Sequence, residues 1–277
     1  MKKTIYILIG LFALTGFILY QNNALEITKI EVRDETIPSA FNTFRIVQIS
    51  DLHNKGFGNQ QERLVKAVNA LSPDIVVITG DLIDRRKYDL ALAMEFVEKI
   101  ADFVPIYYVS GNHEAWSGNY DEIVSALSQA GVHILDDKAL ALKKADEEIR
   151  IIGLSDPDFL TSTYLDGTNY TKMEKNLKAL TEPSVYQILL SHRPECFELY
   201  AHYNINLTFS GHAHGGQFRL PLVGGFIAPD QGIFPKYSSG LYQSGQAKMI
   251  VSRGLGNSII PIRLFNRPEI VLVELNP

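Results

Sequence analysis

Arg45-Ile-Val-Gln-Ile-Ser-Asp-Leu-His53 joins a short apolar run to a carboxylate and an imidazole, and the same construction returns four times further along. Ile75-Val-Val-Ile-Thr79 leads into Gly80-Asp81, and Ile106-Tyr-Tyr-Val-Ser110 into Gly111-Asn112-His113-Glu114. Tyr186-Gln-Ile-Leu-Leu-Ser191 leads into His192, and Asn206-Leu-Thr-Phe-Ser210 into Gly211-His212-Ala213-His214. Short β-branched and aromatic runs with little polar alternation predict mostly buried strands, and Ile149–Leu154 reads the same way. Between them, Leu64, Ala67, Val68 and Leu71 recur with helical spacing, as do Ala93, Phe96, Val97 and Ile100, then Ile123, Leu127 and Ala130. Strand, helix, strand repeated in this way predicts an α/β fold with substantial parallel pairing. Residues 215–260 change character, with Gly and Pro punctuation, and predict loops and antiparallel strands that close the sheet.

The polar residues gain meaning from where they fall. In an open α/β sheet the ligand crevice lies outside the carboxyl ends of the strands, so five strand ends bring carboxylate, amide and imidazole groups to one edge. Desolvated without partners, those groups would be costly; cations make the gathering favourable. Cys196 is the single cysteine, which excludes an intrachain disulfide, a zinc ribbon and a redox dithiol. Imidazole with carboxylate suits manganese, iron or zinc better than calcium. Asp51, Asp81, Asn112 and four or five of His53, His113, His192, His212 and His214 gather there, and about seven ligands are too many for one catalytic ion but suit two that share a bridge. Asp81, with two oxygens, is the natural bridge between ions roughly 3.5–4 Å apart.

The amino end carries a separate signal. Lys2 and Lys3 precede an apolar run from Ile5 to Tyr20, broken only by Gly10, Thr15 and Gly16 and closed by Gln21-Asn22-Asn23. Such a run reaches roughly 25 Å, close to the ~30 Å of a bilayer's hydrocarbon. Asn23-Ala24-Leu25 is a poor cleavage site, so residues 1–23 are expected to form an uncleaved signal anchor or transmembrane helix rather than a removed leader. The lack of a polar stripe argues against a buried core helix. Lys2 and Lys3 favour a cytoplasmic amino end and an extracytoplasmic body, although Lys29 and Arg33 reduce the asymmetry. The formal charge of −5, from 26 basic and 31 acidic residues, disfavours nucleic acid as a partner.

Together, Asp51-Leu-His53, Gly80-Asp81, Gly111-Asn-His-Glu114, His192 and Gly211-His-Ala-His214 resemble the five ordered motifs of the calcineurin-like metallophosphoesterases, over roughly residues 41–277. The apolar leader, the Gly211–Gln217 loop, Ser252-Arg-Gly-Leu-Gly256, Pro261-Ile-Arg263 and Arg267-Pro-Glu269 are similar to a bacterial membrane-associated branch that includes hydrolases of UDP-2,3-diacylglucosamine. The resemblance implies a layered α/β/β/α sandwich in residues 41–277, with the metal site at the carboxyl ends of its strands. It implies one ion on Asp51, His53 and His214, a second on Asn112, His192 and His212, and Asp81 between them. A hydroxide bridging the ions would be the nucleophile, His113 would stabilise the transition state or protonate the leaving oxygen, and Asp84 would orient His113 unless it is a loop cap. The implied function is hydrolysis of a phosphodiester or pyrophosphate bond in a phosphorylated small-molecule, nucleotide-sugar or lipid-linked substrate, with manganese ahead of iron or zinc. A catalytically silent metal-binding module and a nuclease of the same superfamily are the alternatives.

Other residues have plainer expectations. His133 and His202, outside the motifs, read as hydrogen-bonded core residues, Asp74 as a turn residue, and Cys196 as a small buried hydrophobe. Arg193 reads equally as a phosphate donor or a solvated surface residue. Phe218 to Tyr242 is rich in apolar side chains, which suit either an acyl-chain or bilayer contact or ordinary packing of a cap.

Overall fold

A computed structural model of the chain describes residues 2–160, 170–220, 222–257 and 261–277. It opens with α1 (Lys2–Asn23), whose side chains are exposed except near its end, where Gln21 and Asn22 are buried. Its 22 residues extend about 33 Å at the helical rise, longer than the apolar run alone suggested. Among the described residues it is the one helix long and apolar enough to cross a membrane. In chain order there follow β1 (Glu26–Arg33), β2 (Phe44–Ile49), α2 (Glu62–Asn69), β3 (Ile75–Thr79), α3 (Leu90–Ala101), β4 (Ile106–Val109), α4 (Asn112–Ser117) and α5 (Tyr120–Gln129). The second half holds β5 (His133–Ile134), β6 (Lys138–Lys144), β7 (Glu147–Gly153), α6 (Tyr170–Leu180), β8 (Gln187–Leu190), α7 (Phe197–His202) and β9 (Leu207–Ser210). Two short ladders, β10 (Arg219–Leu220) with β11 (Gly224–Gly225) and β12 (Ile227–Ala228) with β13 (Gly232–Ile233), precede β14 (Gly240–Ser244), β15 (Ala247–Val251) and β16 (Glu269–Asn276).

These strands make two six-stranded sheets. One runs β1-β16-β2-β3-β4-β5, parallel except for β16 against β2. The other runs β14-β15-β9-β8-β7-β6, with a parallel centre and antiparallel edges. Successive side chains on a strand point to opposite faces, which builds the layers. Ile46, Ile75, Val77 and Val109 face Ile151, Ile188, Leu190 and Phe209 between the sheets. Val47, Ile49, Val76 and Ile78 face outward onto Leu64 and Val68 of α2, Phe96 and Val97 of α3, and Ile123 and Leu127 of α5. On the far side, Ile152, Leu189 and Met249 meet Met173 and Leu177 of α6 and Phe197 and Tyr200 of α7. The result is an α/β/β/α sandwich. Each fully buried aliphatic side chain contributes roughly 1.5–3 kcal/mol. Locally, the Asp89 side chain caps α3 by accepting from the Leu92 amide at 3.2 Å.

Three expectations change. The first sheet begins upstream of residue 41, because β1 pairs with β16 from Glu26↔Glu269 to Arg33↔Asn276. The Gly/Pro-rich stretch 215–260, of which 221 and 258–260 lie outside the described residues, does supply an antiparallel hairpin, but its second strand, β15, adds to β9 in parallel. His133 and His202 are exposed rather than core residues, each resting against a tyrosine, Tyr107 and Tyr203. Asp74 is the expected turn residue, accepting from the Arg45 amide at 2.7 Å.

Candidate metal centre

The carboxyl ends of β2, β3, β8 and β9 and the first turn of α4 bring all seven proposed ligands to one buried cluster. His214 Nε2 lies 3.3 Å from Asp51 Oδ1 and 3.1 Å from His53 Nε2, which is 3.6 Å from Asp81 Oδ2. The same Asp81 oxygen lies 3.4 Å from His192 Nε2, which is 3.2 Å from both Asn112 Oδ1 and His212 Nδ1. Two groups of donor atoms therefore share one carboxylate oxygen.

The backbone is bent to achieve this. Asp51, His53, Asp81, His212 and His214 have φ of 51°, 46°, 53°, 64° and 47°, a left-handed conformation that side chains other than glycine seldom adopt and that surrounding structure must impose. Glycine is required beside them. A Cβ on Gly80, at φ +87°, would come within 2.6 Å of His192 Nδ1, and one on Gly111 within 2.4 Å of Asp81 Oδ1. Glu114 ties the two turns together, its carboxylate accepting from the amides of Asp81, Leu82, Ile83 and Gly111 at 2.8, 2.8, 3.2 and 2.7 Å. Burial and the neighbouring Asp81 push Glu114 up to about 8, while its amide donors favour the carboxylate.

Burial and charge prepare the cluster for cations. Burial drives His53 down to about 3 and His214 well below the ordinary imidazole range, leaving both neutral with lone pairs available. Burial opposes ionisation of Asp81, but His192, His113 and His53 outweigh it and hold the carboxyl well down. Burial likewise opposes charging His192, yet Asp81, Asp51 and Asp156 push it up to about 10. A cation at Nε2 would displace the second His192 proton. Imidazoles, carboxylates and an amide oxygen converging without thiolate fit a pair of divalent ions.

Hydrogen bonds behind the ligands set which nitrogen faces inward. His192 Nδ1 donates to the Thr79 carbonyl at 2.7 Å, turning Nε2 into the cluster. His212 Nε2 donates to Asp230 Oδ2 at 2.9 Å, turning Nδ1 inward. That N–H, with Arg193 beside it, holds Asp230 at about 2. Arg193 is neither solvated nor poised for phosphate. It is buried and bonded to Asp156 at 2.7 and 2.8 Å, to Asp158 at 2.7 Å and to Asp230 at 2.6 Å. Asp230 lies in a Pro-Asp-Gln-Gly turn between β12 and β13, a context that reads as a turn and conceals its partner. Cys196 is buried, and desolvation raises its thiol.

His113 stands beside the ligands, its ring centroid 4.4 Å from that of His53. Its Nδ1 accepts from the Arg85 amide at 3.2 Å, which leaves the proton of the neutral ring on Nε2. Asp84 Oδ1 is 3.5 Å from Nδ1, and the same oxygen accepts from the Arg86 amide at 2.9 Å. Asp84 is thus a loop cap held by Arg86, with an oxygen near His113 but no hydrogen bond to the neutral ring, since Oδ1 and Nδ1 both accept. Burial lowers His113 against the pull of Asp81 and Asp84.

The family described as calcineurin-like phosphoesterase matches residues 44–216. The metallophosphoesterase YkuE of Bacillus subtilis is 31% identical over 259 residues, 91% of this chain and 85% of its own length. The phosphodiesterase YaeI of Escherichia coli is 26% identical over 84% of this chain and 82% of its own. A crystal structure of TT1561 from Thermus thermophilus shares the fold with a TM-score of 0.53 at 14% identity, covering 77% of this chain and 91% of that one.

Proposed function

The chain belongs to the calcineurin-like phosphoesterases and is a hydrolase of that family, and from that membership we propose that it is a dinuclear enzyme cleaving phosphodiester or pyrophosphate bonds. The observation that carries this reading is the single Asp81 oxygen within reach of both donor groups. Asp51, His53 and His214 would hold one divalent ion and Asn112, His192 and His212 the other, with Asp81 serving both. Two such ions would lower the pKa of a shared water and neutralise phosphate oxygens. The protein's own part is positional: Glu114 locks the Asp81 and Asn112 turns together, while Thr79 and Asp230 fix the inward nitrogens of His192 and His212. His113, with its Nε2 proton free of the Arg85 contact, donates to the leaving oxygen; the Arg85 amide orients the neutral ring, and Asp84 stands where it would pair with Nδ1 once the ring is doubly protonated.

Manganese is the first candidate, with iron or zinc behind it. The name of YaeI supports a diester, and a lipid-linked or nucleotide-sugar substrate suits a body held at a membrane by α1, on its extracytoplasmic side. The test is full-length protein stripped with chelator, titrated with manganese, and assayed on bis-p-nitrophenyl phosphate, p-nitrophenyl phosphate and a nucleotide-linked lipid. Two ions per chain with diester turnover are expected. Asp81→Asn is expected to weaken both ions together; two ions retained at wild-type occupancy would refute the shared bridge.

A further inference from the structure

The last turns of α1 are gripped from outside. Tyr20 Oη accepts from Arg267 Nη1 at 2.9 Å, and the Phe17 ring centroid is 5.8 Å from that of Phe265. Phe17 is six residues before the helix end at Asn23, so Phe265 stands about 9 Å along the axis from the junction with the body. There α1 is as apolar as elsewhere, and Phe265 remains 55% exposed.

Phe265 is joined to the apolar segment that follows the last ligand motif. The Leu264 carbonyl accepts from the Arg219 amide at 3.0 Å, the Phe226 amide donates to the Phe218 carbonyl at 2.8 Å, and the Phe234 amide donates to the Phe226 carbonyl at 2.8 Å. On these two short ladders Leu222 is fully exposed, with Val223, Ile233 and Phe234 at 61, 64 and 58%. So much exposed apolar surface in one connected piece marks an interaction site.

We propose that this piece, with Phe265, is a second membrane contact lying in the interfacial layer of the bilayer that α1 crosses; it rests on α1 being a membrane anchor. Depth selects a bilayer as occupant, since Phe265 reaches a level of α1 that itself requires apolar surroundings. The helix end is fixed to the body there: Lys55 and Arg63 donate to the Asn22 and Asn23 carbonyls, and Arg267, paired with Glu26 at 2.9 Å, donates to Tyr20, which stands where an interfacial aromatic would. Lys55 follows Asp51 and His53, so the helix end and the metal cluster lie on the same edge of the sandwich.

The test uses the full chain in phosphatidylcholine–phosphatidylglycerol vesicles, with Cys196→Ala and one labelling cysteine at a time carrying an NBD fluorophore. Leu222→Cys and Ile233→Cys probe the surface, Phe12→Cys probes α1, and Lys143→Cys probes the far end of the sheet, at the β6–β7 turn. Blue-shifted emission at 222 and 233, quenched by lipids bearing a shallow doxyl group, is expected, with 143 unaffected. Quenching at 12 alone would overturn the contact while leaving the anchor standing; no quenching at 12 would overturn the anchor and the contact with it. A shift at 222 that depends on protein concentration and resists lipid quenchers would assign the surface to a second copy of the chain and overturn the bilayer.

Discussion

Replacing Asp230 with asparagine separates the two ion sites. The carboxylate lies 2.9 Å from His212 Nε2 and keeps that nitrogen protonated, which frees Nδ1 to face His192. Asparagine is nearly the same size but can turn its amide nitrogen toward Nε2, so the ring loses its preference for the inward lone pair. Arg193 retains Asp156 and Asp158, which protects the fold. Removing a partner behind a metal-bound histidine costs roughly 10–100-fold in metal affinity, or about 1.4–2.7 kcal/mol. Among the described contacts Asp230 touches none of Asp51, His53 or His214. Isothermal titration of metal-free Asp230→Asn with manganese is therefore expected to show one of two binding events weakened by that factor and the other unchanged. Equal weakening of both events, or of neither, with an unaltered melting temperature would refute the assignment.

His113→Gln is expected to keep both ions by elemental analysis while kcat falls roughly 10²–10⁴-fold, the usual scale for a general acid; loss of metal with unchanged turnover per ion would make His113 a ligand instead. Asp136, buried against Ser110 and Tyr120, is pushed by desolvation from 3.8 up to about 6. The folded chain thus keeps that proton where the unfolded chain has lost it, so stability falls as pH rises from about 4 to about 6, by roughly 3 kcal/mol. Urea denaturation of metal-free protein across this window is expected to show a shallower decline in Asp136→Asn, and an identical slope would refute the cause.

The central strands were legible because each is a short run buried on both faces, and the clustering of the seven proposed ligands because each sits where such a run stops. The edge strand β1 was hidden for the opposite reason. Glu26-Ile-Thr-Lys-Ile-Glu-Val-Arg33 is half exposed, with alternating charge, and its partner β16 lies more than two hundred residues away. At the site, residue type told where a carboxylate or imidazole falls but not the left-handed backbone that aims it. Glu114 stood inside a motif without a visible task, since accepting four amides depends on two turns meeting. Arg193 and Asp230 escaped because a lone charge in a loop has no spacing; only the folded chain shows that they belong to one ion network, buried at Arg193 and open to solvent at Asp230, that ends on His212.

Between helix and sheet the chain spends almost nothing. The Ala24 amide still bonds the Tyr20 carbonyl at 2.9 Å, and the Glu26 amide already bonds the Pro268 carbonyl at 2.8 Å. With Leu25 the one residue between those bonds, there is no tether. Were α1 to hold the chain in a bilayer, so short a junction would tie the stand-off and tilt of the domain to those of the helix. The mount would then work as a ruler, favouring scissile bonds presented at one height above the lipid over deeper or more distant ones.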